Sequence, residues 1–300
     1  MVDDERSAAR AYALGCLLVI AGGLVLSLGV IAIRRAETAD SIQYLFWRAI
    51  GFTIALLASA VVIGRVDPLR SLARLSPTAW IGALSMMISA GTFVAALRLT
   101  TVAETYLLAA MAPLVSAALA GPVLGERSGW LTYVAIALGC GGVAAMAGPG
   151  LGEGDWTGRV LALVSCIAFA GYMLSTRRVA ARELDLLLVA YGIMTIALMA
   201  GILLLRGVPL VPTAPLDAAI ATAHGMVILS LGLWLFARGS RFVPAVTLTM
   251  LAQVESIASP VVAYFFQNEV PKQGVVIGGC IVLAALLVQA LDRQTRRTPA

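Results

Sequence analysis

Residues Leu108–Glu126 read LAAMAPLVSAALAGPVLGE, and residues Leu251–Glu269 read LAQVESIASPVVAYFFQNE. Both stretches are apolar, rich in small residues, interrupted by proline (Pro113 in the first, Pro260 in the second) and closed by a glutamate. They lie 143 residues apart. The same offset carries Arg34-Arg35 onto Arg177-Arg178, Gly82 onto Gly225 and Arg98 onto Arg241. An offset of 142 carries TIALLA at Thr53–Ala58 onto TIALMA at Thr195–Ala200. Matches spread evenly over both halves mark a duplication, so the chain reads as two copies of one unit.

Composition names the solvent in which that unit folds. The chain is 60% hydrophobic and 12% charged, with a mean hydropathy of +0.95. A globular protein in water cannot hide that much apolar surface, whereas a bilayer removes the need to. Cys16, Cys140, Cys166 and Cys280 all sit in apolar runs without a Cys-x-x-Cys pair, and read as packing residues rather than disulfides or metal ligands. The net charge of +5 is scattered over short loops, which excludes a nucleic-acid footprint. The acidic start Met-Val-Asp-Asp-Glu and the long run 11–33 read as a retained first span, not a cleaved signal.

A helix needs about 20 apolar residues to cross roughly 30 Å of hydrocarbon. Ten runs qualify: 11–33, 42–64, 78–97, 102–121, 129–148, 157–176, 186–205, 218–237, 243–266 and 273–291. None alternates as a barrel strand would. The expectation is an all-α integral membrane protein with ten transmembrane helices. Alternate loops hold fourteen Lys and Arg on one side and six on the other, which places both termini in the cytoplasm of a cell with this protein in its inner (plasma) membrane. Five spans per copy is odd, so the second copy enters upside down: residues 1–148 and 157–300 form inverted five-helix repeats joined by a short extracytoplasmic link, 149–156. Secondary transporters recur to this build, with the substrate held near the midplane.

The ten spans, the duplication, Arg48 early in the second span, and the series Pro113…Leu124-Gly125-Glu126…Gly142-Val143 resemble the drug/metabolite transporter superfamily, in its EamA-like branch of bacterial exporters. The second half departs from the pattern: Asn268 replaces the glycine before Glu269, and Ala285-Leu286 replaces the Gly-Val pair. The resemblance implies export of amino acids or other metabolites. It implies a small-molecule substrate and the lipid bilayer as partners, and neither catalytic residues nor a cofactor.

Ionisable groups within hydrocarbon are costly and call for a reason. Glu255, midway along the ninth run near Gln253 and Pro260, reads as a substrate-ammonium ligand, a coupling proton site, or a protonated structural group. A helix break near Pro260 would free carbonyls for a ligand. Arg48 reads as a partner for a substrate carboxylate or for Glu104, or as a side chain snorkelling to the interface. Glu104 reads as a wall or gate residue, and Glu126 and Glu269 as caps for the amides of the next helix. His224, the single histidine, reads as a lone ligand or proton relay. Ser85, Met86, Ser89, Thr92 and Phe93 on the third span, Phe169 and Tyr172 on the sixth, and Ser230 and Trp234 on the eighth are the expected cavity wall. No phosphate loop accompanies the Gly-rich link, so no ATP motor is encoded. Proton coupling and simple facilitation both fit, as do a monomer and a homodimer packed through Gly274-xxx-Gly278.

Overall fold

The computed structural model describes residues 2–62, 72, 74–125, 129–147, 156–243, 247–248 and 251–295, and these are helical apart from short turns and connections. Among the described residues, eight helices are long and apolar enough to cross a membrane. Of the two remaining runs, the fifth holds the apolar helix Trp130–Ala145. The ninth holds a helix of 14 residues, Val254–Gln267, and part of its beginning lies outside the described residues. The link 149–155 and Glu126 also lie outside them.

The chain begins with α1 (Val2–Ser27) and α2 (Gly29–Arg35), which share one span, then α3 (Ser41–Val62) and α4 (Pro77–Leu99). The fourth span is split into α5 (Val102–Ala109) and α6 (Ala112–Leu124), followed by α7 (Trp130–Ala147). The second half has α8 (Trp156–Thr176) and α9 (Ala181–Leu205). After these, α10 (Pro215–Ala223) runs through π-helical turns at His224–Leu229 into α11 (Ser230–Gly239). The chain closes with α12 (Val254–Gln267) and α13 (Gln273–Thr295).

The two deciding stretches fold alike, for readable reasons. In the first, the helix breaks at Ala110–Met111, just ahead of Pro113, whose ring nitrogen has no hydrogen to donate back to Ala109. In the second, the break falls at Ala252–Gln253, seven residues before Pro260. Pro260 sits inside α12, so the expected break beside it is corrected. Both helices then end on a left-handed residue, Gly125 at φ 72° and Asn268 at φ 54°. These two positions are 143 residues apart. Asparagine is the next best residue to glycine for that conformation, so losing the glycine leaves the cap standing. Asn268→Gly should leave thermal stability in detergent level or slightly higher. Asn268→Val should cost about 1–2 kcal/mol, and no loss would show that this cap is not required.

Packing is cyclic. Helix α1 lies on α11, α10 and the π turns lie on α3, α3 on α9, α9 on α4, and α4 on α8. From there α8 lies on α5 and α6, α5 on α12, and α12 returns to α1 and α2, closing a ring. Helices α7 and α13 pair tightly and join the ring through α5 and α6. Small residues let these helices approach: a Cβ at Gly142 would meet the Gly278 carbonyl at 2.7 Å, which assigns Gly278 to packing within the chain.

One end of the ring is tied across its two halves. Arg34 donates to the Thr100 carbonyl at 3.0 Å and to Glu269 at 3.3 Å. The other Glu269 oxygen accepts from the Val102 amide at 2.6 Å. Glu269 therefore does cap a helix, but the cap falls on α5 in the other half rather than on the next helix. Asp217 accepts from Thr38 and Ala39, and Gln43 and Trp47 donate to the carbonyls of Pro209 and Leu210.

Candidate functional site

Aromatic and ionisable side chains from five segments converge within the ring. From α3 come Tyr44 and Arg48, from α9 Tyr191, and from the π turns His224. Helix α5 adds Tyr106, and α12 adds Glu255 and Ser259. Tyr44, Tyr191, Tyr106, Arg48 and His224 are all buried. The Tyr44 hydroxyl and His224 Nδ1 share a hydrogen bond of 2.5 Å, and Arg48 Nη2 donates to the Tyr191 hydroxyl at 3.2 Å. The Tyr106 hydroxyl lies within electrostatic reach of Glu255, Arg48 and Tyr44 and beside Ser259. Phe93 packs edge-on against the Tyr106 ring at 5.0 Å.

Backbone geometry makes this convergence feasible. Glycines at 51 and 225 let α3 touch the end of α10 and the π turns backbone to backbone, with Gly225 against the Arg48 carbonyl and Gly51 against that of Thr222. The Ser230 hydroxyl donates to the Gly225 carbonyl within these turns at 2.9 Å. His224, at the start of those turns, is seated by Gly29, where a Cβ would stand 2.7 Å from Nε2. Glu255 occupies the first turn of α12, where the positive end of the helix dipole favours a carboxylate.

Charge pairing in this chamber is incomplete. Arg48 is 7% exposed, so it does not snorkel, and among the described residues no carboxylate comes within ion-pair distance of it. Glu104, its expected alternative partner, is instead held by Arg159 at 3.0 Å. Glu255 is half-buried. Two residues before it, Gln253 Oε1 is buried with no hydrogen-bond partner among the described residues.

The other expected wall residues scatter. Ser89 bonds with Ser165 at 3.2 Å across the α4–α8 contact, and Ser85 lies against Gly171 in the same contact. Thr92 bonds back to the Ile88 carbonyl of its own helix. Met86 and Tyr172 pack against one apolar cluster, and Phe169 stacks on Tyr172 at 5.5 Å. Trp234 is 49% exposed, with the Arg238 guanidinium 5.0 Å above its ring. Sequence reasoning passed over Tyr106 and Tyr191. One signal pointed to the latter: Tyr191 stands 143 residues after Arg48, at the equivalent place in the second copy.

A ring of apolar helices surrounds this cluster of buried aromatic and ionisable side chains. Residues 13–148 match the EamA-like transporter family, in line with the drug/metabolite transporter resemblance. No curated protein sequence matches the chain. A solved crystal structure is similar with a TM-score of 0.65 over 97% of this chain and 99% of its own, at 18% identity, which bears on the fold alone.

Proposed function

We propose that this protein is a secondary transporter that exports amino acids and similar small amphipathic metabolites, aromatic ones included, by alternating access. In this reading, residues 1–148 and 157–300 are inverted five-helix repeats with cytoplasmic termini in an inner membrane, and ten spans in all. The packing supports the inversion. Exchanging each span for its partner in the other copy maps α4 on α8 to α11 on α1, and α9 on α4 to α3 on α10. The pairs α3 with α9, α5 with α12, and α7 with α13 map onto themselves. Alternating access then requires the Arg34–Glu269–Val102 ties to part when the chamber opens at that end.

The observation that carries the cargo is the buried Arg48 guanidinium, which no described carboxylate neutralises, close to Tyr106, whose hydroxyl also lies near Glu255. A buried charge without a counter-ion is strongly unfavourable, and a ligand that supplies the counter-ion gains what the protein leaves unmet. A zwitterion supplies both: its carboxylate pairs with Arg48, and its ammonium with Glu255 and Gln253. Phe93, only half-buried, offers aromatic surface to its side chain.

Tryptophan or phenylalanine, tested by thermal shift on the purified protein, should stabilise it saturably. The N-acetyl and amide derivatives, each lacking one charge, should bind at least tenfold more weakly, since a hydrogen-bonded charge contributes about 1.5–3 kcal/mol. Equal binding of both derivatives would overturn the zwitterion reading.

A further inference from the structure

Arg48 and Tyr191 meet where the two halves of the chain face one another. Arg48 Nη2 donates to the Tyr191 hydroxyl at 3.2 Å, across 143 residues of chain. Helices α3 and α9, which carry them, are one of the pairs that exchanging the two copies maps onto itself. At the offsets of 142 and 143 that relate the copies, the equivalent of Arg48 is Ala190 or Tyr191. The bond therefore joins equivalent or directly neighbouring places in the two copies. In the inverted-repeat reading such a contact straddles the pseudo-two-fold axis, because the midpoint between equivalent points lies on it. That axis runs in the plane of the membrane, so the contact is about equally far from both faces.

The contact is fixed from the tyrosine side. Tyr191 is 1% exposed, and its ring lies against that of Phe52 at 5.8 Å. Its hydroxyl is thus delivered to one place by packing, whereas Arg48 reaches it with a long side chain of many rotamers. A guanidinium carries five N–H donors in a planar fork, and an acceptor at one of them fixes the direction in which the others point. An axis can hold a single cation only where the copies differ. Two arginines there would repel one another, and the second copy supplies a neutral acceptor instead.

We propose that Tyr191 is a positioning residue for the cargo: its hydroxyl holds the Arg48 guanidinium at the pseudo-two-fold axis, so that one cation receives the cargo carboxylate whether the chamber is open to one face or to the other. The proposal rests on the reading of Arg48 as the partner of that carboxylate. Alternating access exchanges the conformations of the two copies, and a group on the axis keeps its place through the exchange. A cation well off the axis would instead serve one face better than the other.

Tyr191→Phe removes the hydroxyl and keeps the ring on Phe52. In the purified full-length protein it should weaken tryptophan about tenfold, as loss of one charge-assisted hydrogen bond does, and leave tryptophanamide, which has no carboxylate, within about twofold. In uniformly oriented proteoliposomes it should raise the half-saturating tryptophan concentration by the same factor from either face, with the maximal rate level, the mark of a lost binding contact. Phe52→Leu keeps the hydroxyl but loosens the ring that carries it. It should give the same selective loss at smaller size, and it decides the matter if Tyr191→Phe does not fold. Equal weakening of tryptophan and its amide, unchanged tryptophan affinity, or a loss confined to one face would overturn the proposal. Wild type that binds tryptophan and tryptophanamide alike would instead remove the carboxylate reading, and the proposal with it.

Discussion

Glu104→Leu is expected to cost about 3–5 kcal/mol of stability, the usual effect of removing one partner from a buried ion pair. Arg159 would keep its charge at 10% side-chain exposure with its carboxylate gone, and Nη1 already has no partner among the described residues. The Thr100 hydroxyl would lose its acceptor as well. Arg159→Leu in the same protein should restore most of the loss, because two apolar side chains at this place need no counter-ion. Denaturant unfolding of the two single variants and the double variant in micelles measures this cycle. A mild Glu104→Leu, or a double variant as unstable as the worse single, would show that the pair is not the electrostatic unit described.

Arg48→Gln is expected to separate binding from folding. Glutamine stays polar but is too short to keep the bond to the Tyr191 hydroxyl, and it removes a buried cation that no described carboxylate neutralises. Stability should therefore stay level or rise. Cargo affinity should fall roughly 100-fold, in the range found when one partner of a buried charge pair is truncated. A merely structural Arg48 predicts the reverse: lower stability with unchanged affinity for the protein that remains folded. The contrast makes Arg48→Gln more informative than truncation of the surrounding tyrosines, whose packing and hydrogen bonds would be lost together.

Much of the fold was legible in the sequence because its signals are local. Apolar runs marked the helices, Pro113 announced the break in the fourth span, and Leu124-Gly125 announced its end. The repeat offset tied Gly125 to Asn268, although the loss of glycine hid that the two do the same work. Pro260 misled, because a proline within an apolar helix can be accommodated by its neighbours, and the chain broke earlier, at Ala252–Gln253. The site was legible only in part. Glu255, Gln253 and Arg48 stood out as polar groups within apolar runs. Their companions did not, because partner choice between distant helices leaves no local trace. Glu104 found Arg159, 55 residues away, and Tyr44 found His224, 180 residues away. The serines of the third span fitted a wet helical face and a helix contact equally well, and in Ser89 the contact prevailed.

The most direct test of the central claim is efflux of labelled tryptophan and phenylalanine from proteoliposomes, with and without a pH gradient, for wild type, Arg48→Gln and Glu255→Gln. The account predicts saturable flux by wild type and loss of that flux in both variants while each remains folded. Flux that follows the imposed gradient in wild type would assign Glu255 the coupling proton as well as the ammonium. Flux undiminished by both substitutions would contradict the account, because the chamber built around those two charges would then not be the path of the cargo.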